Sequence, residues 1–145
     1  MPFVYRKNTL ALIGTPRVGT GECAAIAQSL VPGLGDIHAC HWKRGAKVQG
    51  NMSVLPGTVI ATFDSNGRYI GTAKHNHSGG VAHTALYLGQ TAVGVEIVHQ
   101  FNSHPNIQGA LVRFDGKKTA GLHAGVSASG GCPEDDARNY YVVEL

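Results

Sequence analysis

Beyond residue 58 the apolar residues abandon a helical period and arrive in short β-branched runs closed by glycine, asparagine or proline. A chain patterned this way buries its apolar surface by pairing strands, which excludes a helical bundle. Runs at 59–63, 83–88, 93–101, 110–114 and 140–145 read as strands. Leu55-Pro56-Gly57 reads as a turn, and Asp64-Ser65-Asn66-Gly67 as a hairpin turn feeding a further strand at 68–70. The short Gly89-Gln90-Thr91-Ala92 connection predicts that strand 93–101 pairs antiparallel with strand 83–88. Upstream, Cys23, Ile26, Ala27 and Leu30 share one face of a short helix, with Thr20 as N-cap and Glu22 in the first turn. Pro32 and Gly33 stop it. The stretch 36–51 reads as loop and then polar, glycine-containing chain, and 116–136 as a Gly/Ser/Ala-rich loop. One N-terminal helix followed by an antiparallel meander is an α+β layout, and residues 1–145 make a single domain.

Composition removes several function classes. The formal charge is +3 and the basic residues are scattered, without a stripe interleaved by aromatics, so no nucleic acid partner is expected. Such a charge suits an anionic polymer only weakly. No apolar run approaches the roughly 20 residues that span a bilayer, so no membrane partner is expected either. The apolar stretch near the start is short and lacks a small-residue cleavage site. The expectation is a mature chain, or one exported by a route that reads no cleavable signal. Cys23, Cys40 and Cys132 form no C-x-x-C pair, which argues against structural zinc. Two readings of them stand open: a Cys40–Cys132 bridge with Cys23 free, or three unpaired thiols.

The chemistry-bearing residues follow from this layout. Cys23 falls in the first turn of the helix, where the dipole favours a thiolate, although adjacent Glu22 opposes it. On position alone a buried structural cysteine is the favoured reading, and the pairing with a histidine is what raises the catalytic one. His83 opens a strand, and a helix-borne cysteine facing a strand-borne histidine can perform nucleophilic catalysis. In strand 93–101, Gln100 and Asn102 share one face and are placed to accept the imidazole N–H; Glu96 has the same parity but lies nearer the turn. His75-Asn76-His77 offers two metal ligands and no third, so a rim over the cleft is the more economical reading. Gly14 to Gly21 lacks the Lys-Ser/Thr of a phosphate loop and instead delivers Cys23 to its helix. Trp42 reads as core ahead of a sugar-facing aromatic. Asp135 and Asp136 read as solvated.

Gly21-Glu22-Cys23-Ala24, Trp42-Lys43-Arg44-Gly45-Ala46-Lys47-Val48-Gln49-Gly50-Asn51, Gly57-Thr58-Val59-Ile60-Ala61-Thr62-Phe63, Gly67-Arg68-Tyr69, His83-Thr84-Ala85-Leu86-Tyr87-Leu88-Gly89-Gln90 and Asn139-Tyr140-Tyr141-Val142-Val143-Glu144 carry a resemblance. From about residue 19 onward the chain resembles the type VI secretion amidase effectors of the second class (Tae2-like), which have relatives in ticks. More distantly it is similar to the NlpC/P60 and CHAP groups. The resemblance implies a papain-like fold, with the cysteine-bearing helix packed on the antiparallel sheet. It implies hydrolysis of an amide bond in the stem peptides or crosslinks of peptidoglycan, with Cys23 as nucleophile and His83 as base. Gln100 or Asn102 would be the third member, and no metal or cofactor would be needed. It also implies action in the periplasm of a target bacterium and a periplasmic immunity protein over the cleft. The rival readings are a non-catalytic wall-binding module and a cysteine protease or transferase acting on proteins.

Overall fold

The structure, a computed structural model, describes residues 2–69, 82–102, 104–115 and 136–145. Among them one α-helix, α1 (Cys23–Leu30), precedes all six strands of the sheet. The strands are β1 (Lys43–Lys47), β2 (Val59–Thr62), β3 (Thr84–Gln90), β4 (Gly94–His99), β5 (Gln108–Arg113) and β6 (Tyr140–Glu144). They form one sheet in the order β1-β6-β2-β3-β4-β5, and every neighbouring pair is antiparallel. The expected meander is present as β2-β3-β4-β5. The C-terminal strand β6 then inserts between β1 and β2.

Alternation in the strands divides the core into two layers. Val59, Ala61, Leu86, Val98 and Val143 face α1, which contributes Ile26 and Ala27. Ile60, Ala85, Tyr87, Val95, Ile97, Val112, Tyr140 and Val142 face the other way, covered by Val48, Val54 and Ala137. This explains why 59–63 reads as a continuous apolar run rather than an alternating one: β2 is buried on both faces. Ile26 is fully buried, which stabilises the helix–sheet contact by about 1.5–3 kcal/mol.

Three local expectations are corrected. The helix starts two residues later than Thr20 implies: Glu22 is the N-cap, in extended conformation, and Cys23 is the first helical residue. No acidic side chain lies in the first turn. Second, the turn after β2 forms, with Gly67 N donating to Asp64 O and the Asp64 carboxylate accepting from the backbone of Asn66 and Arg68. Yet among the described residues no hairpin with β2 follows, because both edges of β2 are already taken by β3 and β6; Ile70 lies outside them. Arg68 bridges Lys43 of β1 instead. Third, Lys43-Arg44-Gly45-Ala46-Lys47, read as polar chain, is edge strand β1; four of its five residues are exposed. Charged residues on an edge protect its unpaired backbone from other strands, and they also hide it from an apolar pattern search.

Candidate active site

The loop at 14–22 and the start of α1 place Cys23. Gly19 and Gly21 have φ of +58° and +83°, in the left-handed region where glycine is unstrained. A Cβ at Gly19 would also lie 2.6 Å from Ser29 Oγ on the helix. The loop is pinned from behind by Gln100, which is fully buried. Its Oε1 accepts from Val18 N at 2.9 Å, and its Nε2 donates to Val18 O at 2.9 Å and Glu22 O at 2.8 Å. Arg17 adds a hydrogen bond to Asn102 Oδ1 at 3.2 Å.

Cys23 is half-buried and sits against the start of β3. Its Sγ is 3.9 Å from the Ala82 carbonyl oxygen and 3.5 Å from the Tyr69 hydroxyl. Burial pushes the thiol up from its ordinary ionisation, and Glu22 adds to this. The Tyr69 hydroxyl and the backbone amides of Thr84 and Ala24 pull the other way.

The next residue after Ala82 is His83, 8% exposed. Its backbone is clamped to β2: His83 N donates to Thr62 Oγ1 at 2.9 Å, and Thr62 N to His83 O at 2.9 Å. The ring meets another histidine. His83 Nε2 and His99 Nδ1 are 2.7 Å apart, with the rings 5.0 Å between centroids and nearly perpendicular. His99 is fully buried and packs against Phe101 at 5.2 Å.

The predicted pairing of the strands that carry these residues is correct, but its register is not the one the turn suggests. Near the turn, Gly89 pairs with Glu96 and Gln90 with Val95. A β-bulge between Tyr87 and Gly89 then inserts one residue, so that Tyr87 pairs with Ile97 and Leu86 with Val98. Continued without the bulge, the turn-end register would set His83 opposite Asn102, on the parity of Gln100. With it, His83 shares its face with His99 and Phe101. The structure therefore brings His99, rather than Gln100 or Asn102, to the His83 ring. Gln100 faces the loop before Cys23, Asn102 is exposed beside Arg17, and Glu96 is exposed at the far end of β4. The string Val98-His99-Gln100-Phe101-Asn102 holds the residue that meets the His83 ring, but nothing in it announces a bulge ten residues earlier. Trp42 is core as expected, 2% exposed and tilted against Tyr69 at 5.1 Å. His75, His77, Cys132, Asp135 and the proposed Cys40–Cys132 bridge lie outside the described residues. Cys40 itself is exposed.

The model of domesticated amidase effector 2 matches residues 6–125. The chain belongs to the amidase effector 2 family. It is 34% identical to a type VI secretion amidase effector 2 protein of Salmonella typhi, over 99% of this chain and 100% of that protein. It also superposes on a solved structure of type 6 secretion amidase effector 2 with a TM-score of 0.73 and 32% identity, covering 100% of this chain and 96% of the other. The resemblance drawn from the sequence motifs is borne out, and with it the papain-like α+β fold. Cys23, His83 and His99 all fall within the stretch that the family model matches.

Proposed function

We propose that this chain is a cysteine amidase that hydrolyses an amide bond in the peptide part of peptidoglycan, acting as a secreted antibacterial effector. The carrying observation is the juxtaposition at the head of β3: a cysteine at a helix start, packed against the residue before a histidine whose ring is held by a second buried histidine. Membership of a family named for amidase effectors supports the reaction class.

Each residue then has a role. With His83 Nε2–H donating to His99 Nδ1, the tautomer is fixed and His83 Nδ1 is assigned to the Cys23 proton. His99 is the third member; being neutral, it orients the imidazole and lacks the full charge by which a carboxylate would stabilise imidazolium. Burial favours the neutral thiol, so His83 must take the Cys23 proton before the sulfur can attack as a thiolate. The sulfur adds to the scissile carbonyl, and the backbone N–H groups of Cys23 and Ala24 at the helix start are the donors for the oxyanion. His83 returns the proton to the leaving amine, and water cleaves the thioester. Gln100 is a positioning residue that holds the loop carrying Cys23.

Among the described residues no helix is long and apolar enough to cross a membrane. A delivered wall amidase meets its substrate in the periplasm of the target cell, and siblings of the producer need an immunity protein that covers the Cys23–His83 cleft. The test is toxicity in a bacterial host. Wild-type chain with an added periplasmic signal should lyse cells, whereas cytoplasmic expression and periplasmic Cys23→Ala should not. Harmless periplasmic wild type, or equal lysis by Cys23→Ala, would overturn the proposal.

A further inference from the structure

We propose that the Tyr69 hydroxyl is the hydrogen-bond donor that stabilises the Cys23 thiolate, and that Thr84 holds it in that orientation. The inference rests on the reading of Cys23 as nucleophile. Tyr69 is 3% exposed, and its ring is gripped by Trp42 at 5.1 Å and Phe63 at 6.2 Å, so the hydroxyl has little freedom beyond rotation about its C–O bond. Among the described residues that oxygen has two polar neighbours: Cys23 Sγ at 3.5 Å and the fully buried Thr84 Oγ1 at 2.7 Å.

One phenol proton serves two neighbours, and the state of the sulfur decides between them. While Cys23 is a thiol, S–H can point at the phenol oxygen and the phenol O–H donates to Thr84 Oγ1. Once the sulfur proton has moved to His83, the thiolate can only accept. The phenol O–H then turns to the sulfur, and Thr84 O–H turns to donate to the phenol oxygen. No atom changes owner except the proton that passes from Sγ to His83. Burial pushes the Tyr69 hydroxyl well above its ordinary ionisation, and the thiolate adds to this, so Tyr69 keeps its proton and remains a donor. Among the described residues, Glu22 at the helix start and Tyr69 before residue 70 are the titratable groups that act on the sulfur, and Tyr140 of β6 acts on Tyr69. A charge-assisted hydrogen bond is about twice as strong as a neutral one, so this donor favours the ionised sulfur over the neutral one.

The test is the pH dependence of Cys23 alkylation by iodoacetamide, read by mass spectrometry on the peptide that contains Cys23. Tyr69→Phe keeps the ring contacts and should move the midpoint up by about one pH unit, a roughly tenfold loss of thiolate at fixed pH. Thr84→Val should move it in the same direction by less, and Thr84→Ser should restore it. A folded Tyr69→Phe variant with the wild-type midpoint would overturn the proposal. So would a Thr84→Val midpoint equal to wild type, which serves where Tyr69→Phe does not fold. Wall hydrolysis that survives Cys23→Ala would instead overturn the nucleophile reading, so the two failures are told apart.

Discussion

At the residue scale the account turns on a pair of imidazoles. His99 Nδ1 is the partner within hydrogen-bond reach of His83 Nε2, so replacing it should disturb the tautomer of His83 rather than substrate binding. His99→Phe is expected to lower kcat about 10²- to 10⁴-fold with little change in KM, and His99→Asn, which can still accept, should recover part of that loss. Steady-state kinetics on soluble wall fragments checks both; full activity in His99→Phe would remove it from the site. Cys23 carries a separate pH signature. Burial raises its ionisation in the folded chain, so the protonated thiol favours folding below the ordinary thiol range. As pH rises past about 9 the unfolded chain sheds this proton first, and stability falls. Urea midpoints from about pH 7 to about 10 should therefore decline less steeply in Cys23→Ala than in wild type; identical slopes would show that the thiol is not held protonated by the fold.

At the element scale, β4 does two jobs from its two faces, and mutations should separate them. Gln100→Leu removes three hydrogen bonds to the loop before Cys23 and leaves Val18 N–H without its side-chain acceptor. A loss of about 1–3 kcal/mol is expected, with a fall in kcat of tenfold or more, because the loop then holds the nucleophile loosely. Asn102→Ala, at an exposed contact with Arg17, should change stability by less than about 0.5 kcal/mol and leave kcat near wild type. Comparable losses in the two variants would refute the positioning role of Gln100. The helix is tied to the sheet by Ile26, and Ile26→Ala should cost about 2–5 kcal/mol in chemical denaturation. These elements were legible to different degrees. The helix and the strands from 59 onward show in the apolar period because their side chains fill a core. Strand β1 does not, since an edge of lysine, arginine and glycine has no apolar face to betray it. The face of Gln100 and Asn102 was misjudged because a bulge between Tyr87 and Gly89 shifts the ladder by one residue, and its consequence appears only where the strand reaches His83.

At the scale of the whole molecule, the antiparallel sheet is a frame that brings four separate stretches of chain together at the head of β3. Cys23 comes from α1, Tyr69 from the chain after the β2 turn, His83 from the residue before β3, Thr84 from β3 and His99 from β4. The two residues proposed to begin the chemistry are legible because helix-start cysteine and strand-start histidine are local patterns. His99 and Tyr69 are not, because each becomes relevant through a contact across the sheet rather than through its neighbours in sequence. The frame also predicts what kind of bond is cut, since a thiolate with a histidine base suits acyl transfer and not glycosidic cleavage. The most direct test is to digest purified peptidoglycan and count the new groups released. Wild-type protein should liberate free amines with no new reducing sugar ends, the new carboxyls should take up oxygen from labelled water, and Cys23→Ala should release neither product. Reducing ends without amines, or undiminished amine release by Cys23→Ala, would contradict the account.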